Sequence, residues 1–280
     1  MTGRDGRAAA MAAGDARRIA GRAVAVSPHL DDAVFSAGGT LAALVAAGWA
    51  VRVVTCFTAT VPDASAFALA CQLDKGLPAD VDYMALRRAE DRTACAVLGV
   101  RPVHLPLAEA PHRGYADADA LFAGVRRGDP AVEMLGPALE PYLADADLVL
   151  APQALGDHVD HRIVAETVAG IAADAFWWRD VPYVARRRAA TPWRCVPAGV
   201  EVAVDIADHL VTKVDAAGRY RSQLAFQFGD AGAAVSLRDL AVAEATRLDV
   251  AGAVEALRGP TADRLPIGGR SVPSAAVGPP

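Results

Sequence analysis

Apolar runs and segments of helical periodicity alternate along the first two thirds of the chain. Four short apolar runs rich in β-branched residues predict buried strands, at residues 23–27, 50–57, 103–107 and 147–155. Apolar residues at helical spacing predict helices at residues 36–48, 84–100 and 161–173, and a helix within 131–146 that is broken at Pro137 and Pro141. This alternation predicts an α/β fold, a Rossmann-like, mostly parallel sheet with helices on both faces.

The pattern changes after Pro182. Residues 199–206 alternate like a strand, and residues 207–218 have helical spacing. Residues 58–83 show neither period, which predicts a long loop over the site. With no repeat and no linker, we expect a single domain with a C-terminal extension over residues 23–258, with a mobile segment (1–22) before it and a loosely ordered tail (259–280) after it.

Composition and charge exclude several classes of protein. The 280 residues are 53% hydrophobic and 22% charged, as in ordinary globular proteins. The net charge of −5 argues against nucleic acid as the main partner, because phosphate binding needs a positive field. No apolar run reaches the roughly 18 residues of a membrane span, and the first residues lack the apolar core of a signal peptide. We therefore expect a cytoplasmic protein whose main partner is neither nucleic acid nor a membrane, and the sequence leaves a homo-oligomer open.

Two loops that follow predicted strands carry unusual chemistry. The first is SPHLDDAVFSAGG (27–39), and the second is GDHVDHR (156–162). Three of the six histidines lie in these two loops. Because ligands bind beyond the carboxyl ends of strands in parallel sheets, we expect both loops to border one site.

The residue types in these loops suit a divalent metal. A catalytic zinc usually takes three ligands from His and carboxylate and leaves one position for water, and His29 and Asp32 with one His of the second loop supply that number. The other carboxylate can then accept a proton, and the other His can act on the opposite side of the substrate. A cation also removes the repulsion between adjacent Asp side chains. The same ligand types suit iron as well as zinc.

A structural interpretation stands beside this one. Asp31, Asp32 or Ser36 can cap a helix, since Asp and Ser accept hydrogen bonds from free backbone N–H groups. His158 and His161 can be ordinary loop residues. The occurrence of both loops at the same edge of the predicted sheet favours the metal site.

At these loops the sequence resembles the LmbE-like or PIG-L-like zinc N-deacetylases. The family's His-Pro-Asp-Asp and Gly-Gly-Thr motifs are similar to HLDD (29–32) and GGT (38–40), and its His-Pro-Asp-His motif is similar to HVDH (158–161). RRAE (87–90), WWRDVPY (177–183) and KVDAAGRYRSQL (213–224) also look like family segments, so the resemblance spans residues 23–227. Leu30, Val159 and Ala33 depart from the family's common residues, and none of these departures removes a ligand.

The resemblance implies a role for each matching residue. His29, Asp32 and His161 would bind Zn²⁺ or another divalent metal, and Asp31 would be the general base. His158 would polarise or protonate the group on the opposite side, with Asp160 orienting its ring. The implied reaction removes an N-acyl, usually N-acetyl, group from an N-acetylglucosamine-type amino sugar. The substrate would be a small-molecule glycoside such as a thiol precursor or an antibiotic scaffold.

Other functions and other residues remain as hypotheses. The alternatives are a metal-dependent amidase of larger conjugates and a Rossmann-like protein that binds a ligand without turnover. Arg87 is expected on a solvated helix face, and His104 and His112 are expected to be incidental. Adjacent strand residues point to opposite faces, so at most one of Trp177 and Trp178 would face a ligand, and core packing is expected for both. The remaining candidates for sugar contacts are Arg179, Asp180, Tyr183, Tyr220, Arg221 and Gln223.

Overall fold

The computed structural model describes residues 19–186 and 191–272. Its strands are β1 (Arg22–Ser27), β2 (Ala50–Thr55), β3 (Arg101–His104), β4 (Leu148–Pro152), β5 (Phe176–Trp178), β6 (Val200–Asp205), β7 (Val254–Gly259) and β8 (Arg270–Val272). Its helices are α1 (Asp32–Ala46), α2 (Ala66–Asp74), α3 (Tyr83–Leu98), α4 (Ala120–Ala123), α5 (Ala131–Leu143), α6 (Val159–Ile171), α7 (Tyr183–Arg186), α8 (Leu210–Ala217), α9 (Arg221–Phe228) and α10 (Gly232–Arg247). Within this part of the chain, no helix is both long and apolar enough to cross a membrane.

The strands form one sheet in the order β3-β2-β1-β4-β5-β7-β6-β8. The first five strands in that order are parallel, and the last three pair antiparallel. The predicted mostly parallel α/β sheet is therefore confirmed. The chain order reverses between β1 and β4, and such a switch point opens a crevice at the carboxyl ends of the strands.

Helices cover both faces of the sheet, as the sequence predicts. Alternate residues of β1 point to opposite faces, so Ala23 and Ala25 join the core under α1, α3, α8 and α10, whereas Val24 and Val26 join the core under α5 and α6. The two cores hold β1 and β4 rigidly between them. The loops that follow these two strands therefore start from fixed positions.

Four sequence expectations differ from the structure. The expected loop at 58–83 contains α2, and α1 begins at Asp32 rather than at Ser36. Helix α5 continues through Pro137 and Pro141. These prolines are exposed and lie four residues apart on one face, so water can reach the carbonyl groups that they leave without a hydrogen bond. Three buried leucines pack the opposite face of the helix against the core.

The fourth difference concerns the C-terminal tail. Residues 259–272 are not loosely ordered, since Leu265 is buried in the core and β8 pairs with β6 at the edge of the sheet. The hydrogen bonds between β8 and β6 order this segment, although its Pro- and Gly-rich sequence does not indicate a strand. The remaining tail (273–280) and most of the N-terminal segment (1–18) lie outside the described residues.

A buried ion pair fixes the back of α1. Glu255 on β7 accepts hydrogen bonds from the backbone N–H groups of Gly39 and Thr40, at 2.9 and 2.7 Å, and from the Lys213 ammonium at 2.6 Å. Gly39 is required at this contact, because a Cβ there would lie 2.7 Å from Ile206. The contact sets the position of the helix that begins at Asp32.

We expect Glu255→Ala to lower the free energy of unfolding by about 3–5 kcal/mol, because it leaves the Lys213 ammonium buried without a counter-charge. Urea unfolding followed by circular dichroism measures this loss. The exposed Arg219–Asp215 pair provides the control, and Arg219→Ala should change the unfolding free energy by about 1 kcal/mol or less. Equal effects of the two substitutions would contradict this account of α1.

Candidate active site

The loop between β1 and α1 is fixed by its own hydrogen bonds. The Ser27 hydroxyl donates to the backbone carbonyl of His29 at 2.7 Å and accepts from the backbone N–H of Ala33 at 3.1 Å. The backbone N–H of His29 donates to Asp32 Oδ2 at 2.8 Å. These bonds direct the His29 and Asp32 side chains toward the loop that follows β4.

Three side chains from the two loops converge on one point. Asp32 Oδ2 lies 3.2 Å from His29 Nδ1 and 3.2 Å from His161 Nε2. One donor atom from each of the three side chains lies within 4.8 Å of the others. His161 Nε2 is buried and makes no hydrogen bond among the described residues. A buried imidazole nitrogen without a partner, aimed at a carboxylate and a second imidazole, fits a divalent cation.

Two further carboxylates hold the histidine rings by their other nitrogens. Asp160 Oδ2 lies 2.9 Å from His29 Nε2, and Asp180 Oδ1 lies 2.7 Å from His161 Nδ1. Such outer carboxylates fix the ring orientation and the tautomer of metal-binding histidines. The sequence analysis considered Asp180 as a partner of sugar hydroxyls, but its side chain is fully buried and orients the His161 ring instead.

The structure corrects the partner expected for Asp160. Its carboxylate is hydrogen-bonded to His29 and is also held by the backbone N–H of Ala110 at 3.1 Å and the Arg113 guanidinium at 2.6 Å, whereas His158 is bonded by the backbone N–H of Asp160. This anchoring turns Asp160 toward His29. The Asp160 pKa is held well below its usual range, because His29 and Arg113 outweigh the effect of burial.

We expect Asp180→Asn to weaken metal binding by about 10–100-fold, the range for losing an outer hydrogen bond to a ligating histidine. An amide cannot accept both from His161 Nδ1 and from the backbone N–H of Leu155, which bonds the other carboxylate oxygen at 3.0 Å. Competition with a chromogenic chelator measures the affinity. Asp174→Asn, in an exposed ion pair with Arg264, is the matched control and should bind metal like the parent protein.

Asp31 lies beside the cluster but is not directed at the same point. Its side chain is buried, and Oδ2 makes no hydrogen bond within the described chain. The Arg87 guanidinium is 3.6 Å from Oδ2. Burial raises the Asp31 pKa to about 7, with Arg87 opposing the shift and Asp32 adding to it. A buried carboxyl with a free oxygen and this pKa is suited to accept and return a proton near neutral pH.

Arg87 is the main functional residue that the sequence analysis misplaced. It is buried rather than solvated, and it pairs with both Asp31 and Glu109 while lining the cavity. Its side chain points inward on α3, whereas Arg88 bonds the backbone of Thr58 on the outer side. The family-like RRAE segment was the one signal in the sequence that pointed to Arg87. Helical periodicity alone could not show which of the two adjacent arginines is buried.

His158 caps the N-terminus of α6. Its Nδ1 accepts a hydrogen bond from the backbone N–H of Asp160 at 3.2 Å, so the neutral ring carries its proton on Nε2. Burial lowers the His158 pKa to about 3, and the charges of His29 and His161 lower it further, against the effect of Asp160. The neutral ring therefore presents an N–H donor on the side away from the helix end.

These groups share a cavity of about 470 Å³ at the carboxyl ends of β1 and β4. It is lined by five of the six expected site residues, His29, Asp31, Asp32, His158 and Asp160, and His161 lies directly behind Asp32. Tyr183 and Gln223 also line it, as does His112, which was expected to be incidental.

The other candidates for sugar contacts do not line this cavity. Trp177 and Trp178 are fully buried in the two cores, as expected for packing residues. Tyr220 donates a hydrogen bond to Asp91, and His104 contacts the same carboxylate at 2.7 Å. Arg179 pairs with Glu244 behind α1.

Fold and site together define a class of protein, an α/β protein with a candidate His-Asp-His metal site at the switch point of its sheet and a buried carboxyl beside it. The chain matches the family model "PIG-L: GlcNAc-PI de-N-acetylase" over residues 24–172. It belongs to this family.

Similar proteins include a curated relative and two solved structures. Over 181 residues the chain is 36% identical to the 2'-N-acetylparomamine deacetylase of Streptomyces fradiae, and the match spans 60% of each chain. The A40926 pseudoaglycone deacetylase has a TM-score of 0.72 and 26% identity, with 85% of this chain and 96% of that chain covered. The zinc-inhibited form of a teicoplanin deacetylase has a TM-score of 0.71 and 26% identity, with 85% and 97% covered.

Proposed function

We propose that this protein is a metal-dependent hydrolase that removes the N-acetyl group from an N-acetylglucosamine-type unit of a small glycoside. The observation that carries this proposal is the pairing of the His29–Asp32–His161 cluster with a separate buried carboxyl, Asp31, in one cavity. The family membership and the deacetylases among the similar proteins support it.

We propose zinc as the metal, held by His29, Asp32 and His161. Two imidazoles and one carboxylate are a donor set typical of catalytic zinc, although iron uses the same types. A divalent cation at this position would supply Lewis acidity, which polarises an amide carbonyl and lowers the pKa of water.

Asp31 is the general base in this proposal. Its Oδ2 takes the proton of the attacking water as the oxygen adds to the amide carbon. The same carboxyl then returns that proton to the amide nitrogen, so that the C–N bond breaks and a neutral amine leaves. The second product is acetic acid, which keeps the other proton of the water and ionises to acetate in solution. Arg87 positions the Asp31 carboxylate from one side, at 3.6 Å.

His158 acts on the oxygen of the acyl group. Because its Nδ1 is used by the backbone N–H of Asp160, its Nε2–H is free to donate to the oxyanion of the tetrahedral intermediate. Because the His158 ring is neutral, it suits hydrogen-bond donation to the oxyanion better than proton transfer as a general acid. The two tasks left open by the sequence, polarisation and protonation, are thereby divided between His158 and Asp31.

Arg87 and Glu109 provide polar groups for the sugar. They form an ion pair at the cavity wall next to Asp31, and both line the cavity. An Arg donor and a carboxylate acceptor side by side match a pair of neighbouring sugar hydroxyls, each of which donates and accepts. In this proposal, the acetamide of the sugar lies over the His29–Asp32–His161 cluster.

The alternatives predict different products. A panel of N-acetylglucosaminyl glycosides and bulkier amide conjugates, assayed with the zinc-loaded protein for acetate and for free amine, separates them. We expect equal amounts of acetate and amine from the glycosides and little cleavage of larger acyl groups. Preferential cleavage of bulky amides would make the protein a conjugate amidase, and binding without any product would make it a binding protein.

A further inference from the structure

The cavity has a second, chemically different region beyond the catalytic groups. Phe67 of α2, Leu121 and Phe122 of α4, and Phe226 of α9 line it with apolar surface. Phe226 is 48% exposed, which places this region at the mouth. Aromatic walls of this kind suit the aglycone of a glycoside better than the hydroxyls of the sugar that is cleaved.

Lys75, at the C-terminus of α2, lies in this region without a counter-ion. Its ammonium is 4.5 Å from the centre of the Phe226 ring and 5.6 Å from that of Tyr83. It donates one hydrogen bond, to the backbone carbonyl of Cys71 at 3.0 Å. No carboxylate of the described residues lies within 4.0 Å of it, although Asp74 lines the same cavity. An ammonium has three donors, so the known contacts leave donors available to a ligand.

The contrast with the other lysine is informative. The sequence has only two lysines, Lys75 and Lys213, among 28 basic residues. Lys213 has a buried carboxylate at 2.6 Å, whereas Lys75 is half-buried between two rings. Burial and the charge of Arg87 lower the Lys75 pKa, and the more distant Glu109 and Asp31 carboxylates only partly oppose them. Partly buried cations are usually paired. Lys75 lines the cavity and makes no ion pair among the described residues, so a ligand in the cavity can supply the counter-charge.

A second cation borders the same ring. The Arg186 guanidinium is 6.0 Å from the centre of Phe226, and Nη2 donates to the backbone carbonyl and side-chain oxygen of Gln227, each at 3.0 Å. It is thereby held at the mouth of the cavity, where it is exposed. Among the described residues, Lys75 and Arg186 therefore place two cations around one aromatic face at the mouth.

We propose that the outer region is an aglycone subsite that binds an anionic group, a carboxylate or a phosphate, through Lys75, with an apolar or aromatic part of the aglycone against Phe226. Arg186 adds to the positive field at the entrance. This inference rests on the proposed deacetylase function and adds to it a substrate class, anionic aryl or alkyl glycosides of N-acetylglucosamine. A polycationic aglycone would be disfavoured in the same subsite.

Matched phenyl glycosides of N-acetylglucosamine test the charge preference. They carry a para carboxylate, phosphate monoester, neutral carboxamide or aminomethyl group, and acetate release gives kcat/KM for each with the zinc-loaded protein. We expect the carboxylate or the phosphate to exceed the carboxamide by about tenfold, the scale of one charge-assisted hydrogen bond. The aminomethyl compound should be the poorest substrate. The better of the two anions identifies the group that Lys75 prefers.

Substitutions of Lys75 test whether this side chain causes the preference for anionic glycosides. Lys75→Met should lower kcat/KM for the preferred anion about tenfold and leave the carboxamide within about twofold. Lys75→Arg should keep the preference. Arg194→Met removes an exposed charge outside the cavity and should keep it as well. Calorimetric binding of the deacetylated carboxylate and carboxamide glycosides to metal-free protein should show the same Lys75-dependent difference without any turnover.

The proposal is overturned if the carboxamide matches both anions, if the cationic glycoside is preferred, or if Lys75→Met lowers kcat/KM for all glycosides equally. These outcomes differ from failure of the proposed function. If no glycoside releases acetate, the deacetylase function itself is wrong, whereas uniform turnover of all glycosides contradicts only the anion subsite.

Discussion

We expect Asp31→Asn to lower kcat for acetate release by about 10²–10⁴-fold while the protein keeps its metal. That range is typical for the loss of a positioned general acid–base group. An amide cannot take a proton from water at neutral pH, yet it has nearly the shape of the carboxylate. Asp31 Oδ2 makes no hydrogen bond among the described residues, so the substitution removes only its ion pair with Arg87 at 3.6 Å. Steady-state kinetics and metal analysis on the same preparation measure both quantities.

Asp157→Asn is the matched control for this substitution. Asp157 lies on the second loop, pairs with Arg162 and has a positive φ of 71°, a conformation that Asn adopts readily. It does not line the cavity. We expect its kcat to stay within about threefold of the parent value, the scale of a surface ion pair. If Asp31→Asn is as active as this control, Asp31 is not the base.

The second large effect is expected from His161. His161→Gln should lower the affinity for Zn²⁺ by more than about 100-fold, because a ligand itself is lost. The loss of an outer hydrogen bond to a ligand costs at most roughly that factor. Activity should fall in parallel and recover in part at high zinc concentration. Metal analysis after dialysis against a chelator, followed by titration with zinc, measures the affinity.

The control for this loss is His209→Gln, between β6 and α8, a residue that does not line the cavity. It should keep full metal content. His161 is fully buried, so thermal unfolding of both variants is compared. A folded His161→Gln variant that binds zinc like the parent would remove His161 from the ligand set.

The features that follow from local sequence were predictable. Each parallel strand is a short apolar run, and β1 and β4 are followed by the segments HLDD (29–32) and DHVDH (157–161), which combine His and Asp. Ligands bind at the carboxyl ends of parallel strands, so both segments could be expected at one site before any of their contacts were known. The parallel sheet with helices on both faces confirms the predicted fold class.

The contacts between distant segments were not predictable. Asp180 follows a buried Trp pair, and nothing in WWRDVPY shows that its carboxylate reaches His161. Arg87 and Arg88 are adjacent and chemically alike, and only the packing of α3 decides which one is buried. Asp160 was assigned to the wrong histidine, because its partner depends on Arg113 and on the backbone at Ala110, which are far from it in the sequence.

Helix α2 shows a further reason for failure. It buries only Ala68 and Gln72, so its sequence has little amphipathic signal. Its N-terminus is set by Ser65, whose hydroxyl accepts from the backbone N–H of Ala68 and donates to the carbonyl of Pro111. The wall that carries Lys75 therefore depends on a tertiary contact rather than on periodicity.

One measurement tests the central claim most directly. An N-acetylglucosaminyl glycoside is incubated with zinc-loaded protein in oxygen-labelled water, and the products are followed by NMR and mass spectrometry. Our account predicts equal amounts of acetate and free amine, one labelled oxygen in each acetate, and loss of both products in Asp31→Asn with its zinc retained. Unlabelled acetate, an intact acetamide, or undiminished turnover in Asp31→Asn would contradict it.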